Sequence, residues 1–179
     1  MLEPLGARWR HTLGVVERAF EVASVLAEDD ADVVVAAAYV HDVGYAPELS
    51  ETGFHPLDGA RFARGSGHGR LAGLVAYHCS SEAEAIERGL RDELAEFEDE
   101  RSGVSRALTY CDLTTDAEGR RVDPAERLRG IRERYGPETP EARALERSAT
   151  GLLDNVRMVE AMLRARVSVV EPDGPGQWR

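Results

Sequence analysis

The amino-acid sequence predicts a single all-α domain. Three observations lead to this prediction: apolar residues recur at helical spacing, capping residues and prolines precede several segments, and no segment shows sustained strand alternation. The chain has 179 residues, of which 42% are hydrophobic and 31% charged, as is ordinary for one globular domain with its own core. We place the domain at residues 1–166 and expect residues 167–179 to form a mobile tail.

The first half of the chain predicts four helices. Residues 7–28 carry one apolar stripe, and Asp30 is assigned as the N-cap of a second helix that stops at Gly44. The valine triplet in that second segment is also compatible with the start of a strand, but the alanines that follow favour a helix. Pro56 suits the first turn of a third helix, and a fourth is expected over residues 70–79.

The second half predicts further helices and one ambiguous segment. Residues 82–94 are very acidic and are interpreted as a solvated helix or an excursion from the domain. Residues 167–170 are the one place where a short strand is considered. Three helices are expected to open at capping residues, and the last of them should reach about residue 165; the caps are Ser102, Asp123 and Thr139.

The charge balance argues against several classes of partner. The net charge is −11, so neither a nucleic-acid polymer nor an anionic membrane surface is an expected partner. All 22 cationic residues are arginines, which removes lysine from the catalytic candidates. Cys79 and Cys111 are the two cysteines and do not form a CxxC pair, so no disulfide framework or thiolate zinc site is expected. With no apolar signal segment, the expected location is cytoplasmic.

Metal-ligand residue types stand at the ends of several predicted helices. His41 and His78 each follow apolar residues by three, four and seven positions, which puts each imidazole on an inner helical face. Asp42 adjoins His41, Asp112 ends another helix, and His11 lies beside the apolar stripe of the first. Taken singly, each has a simpler explanation as a hydrogen-bonded core histidine or a turn residue. A bound cation would neutralise the buried carboxylate and satisfy the imidazoles together.

The ordered set resembles the H…HD…H…H…D pattern of the HD superfamily of metal-dependent phosphohydrolases. The resemblance covers residues 11–121, through segments such as AAAYVHDVGYAP and ALTYCDLTTDAEGRR. It implies an all-α fold whose metal ligands converge between helices. The implied first-metal ligands are His11, His41, Asp42 and Asp112. His55 and His78 resemble the second-metal ligands of dinuclear members, with Asp42 as the bridge.

The resemblance implies two divalent transition metal ions. Imidazole and carboxylate ligands suit Fe, Mn, Zn, Co or Ni, and the sequence does not choose among them. Glu17 and Asp58 are considered as partners of the ligand histidines, although a solvated position is the simpler interpretation. His68 is interpreted as a surface residue.

The sequence departs from the family at one position. Many members have a lysine three residues after the aspartate of the HD pair, and here that position is Tyr45, which we retain as a substrate-binding candidate. Arginine is the expected replacement for the missing charge, because its guanidinium binds phosphate in bidentate fashion. Arg121, which follows Asp112 across a short loop, is assigned catalytic and substrate-binding roles, with a surface ion pair as the equal alternative. Three other arginines are weaker candidates: Arg61, Arg64 and Arg120.

The predicted function is therefore that of a metal-dependent phosphohydrolase. Its expected substrate is a small phosphorylated molecule, with nucleotides among the candidates, attacked at phosphorus by a metal-activated hydroxide. Asp42 would have the central catalytic position as the ligand shared by both metals. Two alternatives stay open: a di-iron oxygenase with similar ligands, and a non-catalytic module that keeps the metal for stability or binds a signalling nucleotide. The sequence does not predict the oligomeric state.

Overall fold

A computed structural model describes the backbone of residues 6–170 and the side chains of residues 6–166. Across this range the chain forms nine α-helices and no strand, which confirms the predicted all-α fold. Residues 171–179 of the predicted tail lie outside the described range, and the boundary at residue 166 stays a prediction. The helices are α1 (Ala7–Ala23), α2 (Glu28–Val40), α3 (His55–Gly65), α4 (Gly69–Ala76), α5 (Ser81–Arg88), α6 (Arg91–Leu94), α7 (Gly103–Leu113), α8 (Pro124–Tyr135) and α9 (Pro140–Val170).

Three of the predicted N-caps form as expected, and at the start of α9 the Thr139 hydroxyl accepts a hydrogen bond from the Ala142 N–H at 3.3 Å. The Ser102 hydroxyl accepts hydrogen bonds from the backbone N–H groups of Val104 and Ser105, at 3.0 and 3.2 Å. The Asp123 carboxylate accepts from two N–H groups at the start of α8, and Pro124 occupies the first turn. These caps satisfy N–H groups that have no partner inside the helix, and so fix where α7 and α8 begin.

The predicted cap of α2 was wrong. The helix begins at Glu28, after Ala27, and Asp30 lies inside its first turn. A carboxylate there is favoured by the positive end of the helix dipole, and it also binds the Arg70 guanidinium at 2.7 Å. The helix then ends at Val40, before the predicted stop at Gly44, and a short 3-10 turn over Val43–Tyr45 contains that glycine.

Two other expectations are resolved by the described backbone. The acidic segment after residue 81 forms α5 and α6, and these are not wholly solvated, since Ala85 and Leu94 are buried. The strand considered at residues 167–170 was wrong, because α9 continues as a helix to Val170. None of the helices in residues 6–170 combines the length and apolar character that crossing a bilayer requires.

The helices pack around two hydrophobic clusters. The larger is formed mainly by buried residues of α1, α2, α7 and α9, and the smaller by residues of α3, α4 and α5 with Leu94 and Phe97. A tight contact links the turn after α2 to α3: a Cβ on Gly44 would lie 2.1 Å from the His55 carbonyl oxygen. Only glycine permits this approach, which brings the turn that carries Asp42 and Tyr45 against the first turn of α3.

Candidate metal centre

The structure brings together all six residues that the sequence pattern assigned as metal ligands. They come from five separate parts of the chain, and four of them are almost fully buried. Five of the six lie within two residues of a helix terminus, and the sixth, His11, is buried on the inner face of α1. The six are His11 on α1, His41 and Asp42 directly after α2, His55 at the start of α3, His78 just after α4, and Asp112 on α7.

One group of ligand atoms surrounds the Oδ2 side of Asp42. Potential ligand atoms of His11, His41 and Asp42 all lie within 4.8 Å of one another. Asp42 Oδ2 is 3.4 Å from His41 Nε2 and 3.8 Å from His11 Nε2. Asp112 joins this group, since its Oδ1 lies 3.0 Å from His11 Nε2. Two imidazoles and one carboxylate thus form a compact group, and Asp112 extends it through its contact with His11.

A second group lies on the other oxygen of the same carboxylate. Asp42, His55 and His78 also offer ligand atoms within 4.8 Å of one another. Asp42 Oδ1 is 3.4 Å from His55 Nε2, and the Nε2 atoms of His55 and His78 are 3.3 Å apart. Each oxygen of Asp42 thus faces a different group, so this carboxylate could contact two ions, and its bridging role stays a prediction.

Backbone carbonyls fix the orientation of three of the histidines. The Nδ1–H of His11 donates to the carbonyl oxygen of Asp116, at 2.9 Å. His41 Nδ1–H donates to Ala38 and His78 Nδ1–H to Val75, at 2.8 and 2.6 Å. All three Nε2 atoms face the cluster, and an imidazole that keeps only its Nδ1 proton could offer the Nε2 lone pair to a metal.

The two carboxylates stay ionised inside the protein. Burial alone would raise the pKa of Asp42, but His41 and Arg8 hold it well below its usual value. Burial would likewise raise the pKa of Asp112, yet the hydrogen bond with His11 and the charge of Arg127 keep that pKa well below the ordinary value. Two buried carboxylates that remain charged provide hard oxygen ligands for a divalent cation.

The histidines differ in protonation when no cation is bound. Burial alone would lower the pKa of His41, but Asp42 raises it to about 9. Burial lowers the pKa of His55 well below its ordinary value, and burial together with His41 lowers the pKa of His78. At neutral pH a proton on His41 therefore offsets part of the carboxylate charge, in the place where a metal ion would act.

These residues fit a metal centre. His41 Nε2 is completely buried and makes no hydrogen bond with any residue in the described range. The nearby Asp42 Oδ2, 3.4 Å away, gives it an ionic contact but no hydrogen bond of good geometry. A buried nitrogen without a hydrogen bond is costly, and coordination to a cation would remove that cost. The imidazole nitrogens and carboxylate oxygens around it form a mixed donor set suited to first-row transition metals.

A cavity opens from the cluster and carries arginines that the sequence patterns missed. It has a volume of about 80 Å³, room for several water molecules. Arg8, Arg127 and Arg134 line it together with metal-ligand candidates. Arg8 Nη1 donates to Asp42 Oδ2 at 2.8 Å, and Arg127 Nη2 lies 3.4 Å from Asp112 Oδ1.

Tyr45, the residue in place of the family lysine, also lines this cavity. Its ring stacks on the His55 imidazole, and the Arg8 guanidinium lies over it at 3.9 Å. Its hydroxyl is 3.3 Å from that of Tyr135 at the end of α8. Tyr45 is thus part of the cavity wall, and its side chain packs against His55, Arg8 and Tyr135.

The structure does not bring Arg121 to the cluster. Arg121 pairs with Glu21 at 2.5 Å, on the outer side of α1, and does not line the cavity beside Asp42. Its assigned catalytic and substrate-binding roles therefore lack geometric support. Four of the remaining candidates form surface ion pairs: Arg61 with Glu51, Arg64 with Glu96, Arg120 with Asp116, and Glu17 with Arg18. Asp58 accepts hydrogen bonds from Thr52 and not from a ligand histidine, and His68 is exposed.

Comparison with known families agrees with this geometry. The model of the HD domain matches residues 8–147, well over half of the chain. The chain belongs to the HD domain family. The family is the HD superfamily of metal-dependent phosphohydrolases, which bind divalent metals, and the matched segment contains all six ligand candidates of this HD domain. Among curated proteins and solved structures, no match was found.

Proposed function

We propose that this HD domain is a phosphohydrolase that acts on a small phosphorylated molecule with two divalent metal ions. The observation that carries the proposal is the pair of guanidinium groups, Arg8 and Arg127, next to the two carboxylates of the candidate centre. The cavity wall holds three arginines and four carboxylates, two of which are ligand candidates, so the arginines together with bound divalent ions would favour an anionic substrate there.

Arg127 has an unused hydrogen-bond donor. Its side chain is only 9% exposed, and its Nε–H is buried without a hydrogen-bond partner among the described residues. An unsatisfied buried donor costs free energy, and a phosphoryl oxygen would satisfy it. Arg8 has further N–H groups beyond the one that donates to Asp42, because a guanidinium carries five.

The arginines also replace the charge of the family lysine. Arg8 stands one helical turn before His11, so the helix that supplies a metal ligand also supplies the cation. Tyr45 fills the position of the lysine and supports Arg8 with its ring face, a cation–π contact. The positive charge next to the ligands is thereby kept, although it comes from a different element.

The ligand set defines what the bound metals would contribute. Divalent ions held by His11, His41, Asp42, His55, His78 and Asp112 would supply a water of lowered pKa and neutralise charge on the phosphoryl oxygens. The protein groups orient the reaction: the carbonyls of Ala38 and Val75 fix two imidazoles, and the arginines hold the phosphoryl group.

The space around the arginines limits the substrate. The inner cavity of about 80 Å³ accepts a small group, and a second cavity of about 250 Å³ shares Arg8, Arg127 and Arg134 in its wall. We propose that the phosphoryl group enters the inner cavity. The rest of a small substrate would then lie towards the second cavity, past the arginines.

The test is an assay in labelled water without dioxygen. Protein loaded with Mn²⁺, Fe²⁺ or Co²⁺ is incubated anaerobically with a panel of phosphorylated metabolites in water enriched in heavy oxygen. Release of phosphate that contains the label supports attack on phosphorus by water. Turnover that begins only when dioxygen is admitted, and only with iron, would establish the oxygenase alternative. Metal binding without turnover under any condition would favour the non-catalytic module.

A further inference from the structure

Cys79 contacts a candidate metal ligand directly. Its Sγ is 2.8 Å from Asp112 Oδ2, and the geometry is that of a thiol donating to a carboxylate. Two anions would not approach so closely without a proton between them. The thiol therefore holds one oxygen of Asp112, while the other oxygen faces His11 and Arg127.

The backbone around Cys79 is held in an unusual conformation. Its φ is 51°, in the left-handed region that non-glycine residues seldom adopt. The Cys79 N–H donates to the Thr109 hydroxyl at 3.1 Å, and Thr109 lies one turn before Asp112 on α7. Two hydrogen bonds thus connect one residue to successive turns of α7, one from its backbone and one from its side chain.

Cys79 also adjoins the other group of ligands. It directly follows His78, whose Nε2 belongs to the group around Asp42 Oδ1. The same dipeptide thus contributes an imidazole to one candidate metal position and a hydrogen bond to a ligand of the other. Holding Asp112 by its Oδ2 leaves Oδ1 to act with His11 as ligand atoms on a common point.

We infer that Cys79 is a positioning residue for the metal centre, whose thiol fixes the carboxylate of Asp112 for coordination through Oδ1. The inference rests on the proposed metal centre and does not depend on phosphate hydrolysis. It assigns Cys79 neither as a metal ligand nor as a nucleophile. Partners that orient metal ligands in this way commonly change metal affinity by about 10- to 100-fold when they are removed.

The experiment measures the affinity of Co²⁺ by competition with a chelator, using apoprotein variants. Cys79→Ala removes the donor and should weaken binding at one of the sites about 10-fold, the lower end of that range because a thiol is a weak donor. Cys79→Ser keeps a donor and should retain most of the affinity. Cys79→Gly tests the backbone, since glycine adopts the left-handed conformation easily but brings no thiol.

Cys111→Ala is the matched control, since this second cysteine lies next to Asp112 but is buried in the larger hydrophobic cluster. It should leave Co²⁺ affinity unchanged. Thermal unfolding of the metal-free forms is recorded alongside, so that a loss of folding is recognised. Wild-type affinity in both Cys79→Ala and Cys79→Gly would overturn the inference. Wild-type affinity in Cys79→Gly alone would assign the effect to the backbone and would equally overturn it.

The cobalt spectrum separates positioning from ligation. If Cys79 were itself a ligand, the loaded wild type would show an intense thiolate-to-cobalt charge-transfer band that Cys79→Ser abolishes, and the inference would be wrong. We expect no such band. If the wild type binds no Co²⁺ at all, the proposed metal centre fails together with this inference. If the wild type binds normally and the variants match it, only the inference fails.

Discussion

The phenol ring of Tyr45 lies nearly parallel to the imidazole of His55, with ring centroids 4.0 Å apart and planes inclined by 16°. Arg8 is the third member of this stack, with its guanidinium over the tyrosine ring. The tyrosine therefore contacts a candidate metal ligand and a candidate phosphate-binding residue at once. Burial and the charge of Asp42 raise the pKa of its hydroxyl, so the phenol stays neutral.

We predict that the ring of Tyr45 matters more than its hydroxyl. Tyr45→Leu removes the stacking surface, and aromatic pairs contribute about 0.5–1.5 kcal/mol. The variant should lose metal from the group containing His55 and show a higher KM for the phosphorylated substrate. Tyr45→Phe keeps the ring and should stay close to wild type in both measurements.

Elemental analysis and steady-state kinetics measure these two effects. Tyr39→Leu is the matched control, because Tyr39 is exposed on α2 and is not among the residues that line the cavity. Equal metal content and KM in Tyr45→Leu and wild type would show that the stack does not support the site. A defect of the same size in Tyr45→Phe would instead assign the effect to the hydroxyl and its contact with Tyr135.

The arginines give a second prediction. Arg127→Ala should raise KM or lower kcat/KM by about 10- to 100-fold, because a hydrogen bond to a charged group contributes about 1.5–3 kcal/mol. Metal content should fall much less than activity. Arg129→Ala is the control on the same helix, since Arg129 is exposed and pairs with Glu126.

Arg121 distinguishes the sequence-based hypothesis from the structure-based proposal. If Arg121 binds the substrate, Arg121→Ala should raise KM as strongly as Arg127→Ala does. Its ion pair with Glu21 on the outer side of α1 predicts a small effect instead. A strong effect of Arg121→Ala together with a weak effect of Arg127→Ala would refute the arginine assignment proposed above.

The buried positions of two candidate ligands could be predicted from sequence because helical spacing carries that information, whereas their ligand roles come from the family resemblance. His41 and His78 follow apolar residues at positions that share one helical face, and both imidazoles are buried as that spacing requires. Arg8 was missed, although it lies one turn before His11 and the same face argument would have found it. Arg127 offered no such signal, since α8 is strongly polar and the contact to Asp112 is tertiary.

Arg121 was expected at the site because it lies close to Asp112 in sequence, but the structure does not place it there. The loop after Asp112 folds back so that Thr115 and Arg121 form an isolated antiparallel bridge. This bridge directs Arg121 towards Glu21 and away from the cavity. The start of α2 was predicted wrongly for a related reason. A carboxylate in the first helical turn and an N-cap carboxylate give the same sequence pattern. Asp30 lies in the first turn, where it pairs with Arg70.

Two metal ions per chain are predicted for the loaded protein. A His55→Ala/His78→Ala double variant removes two of the three residues in one ligand group and should retain about one ion. Asp42→Ala removes the shared carboxylate and should retain the least metal. His68→Ala is the control, because this exposed histidine precedes α4 and belongs to neither group. One ion in the wild type and one in the double variant would establish a mononuclear centre.

The protonation of His41 gives a prediction for the metal-free protein. Its pKa is raised from 6.5 to about 9, since Asp42 outweighs the effect of burial. A pKa raised on folding adds stability that is complete below about pH 6.5 and is lost as the pH rises through about 9. The free energy of unfolding should therefore fall between pH 7 and pH 9, by at most about 3 kcal/mol.

Denaturant unfolding in the presence of a chelator measures how steeply the free energy of unfolding changes with pH. His41→Gln should reduce this slope, because the titrating group is gone. Two other histidines of the cluster act outside this window, because burial lowers the pKa of His55 and of His78 and their contribution to stability changes only below pH 6.5. Burial raises the pKa of the Cys79 and Cys111 thiols, so both also lower stability once unfolded thiols ionise, at about pH 8.5. Their contribution remains in His41→Gln, so the difference between the two slopes belongs to His41. Stability that rises between pH 7 and pH 9, or an equal slope in His41→Gln, would contradict a protonated His41. With metal bound the sign should reverse, because the ion replaces that proton and binds more tightly as the pH rises.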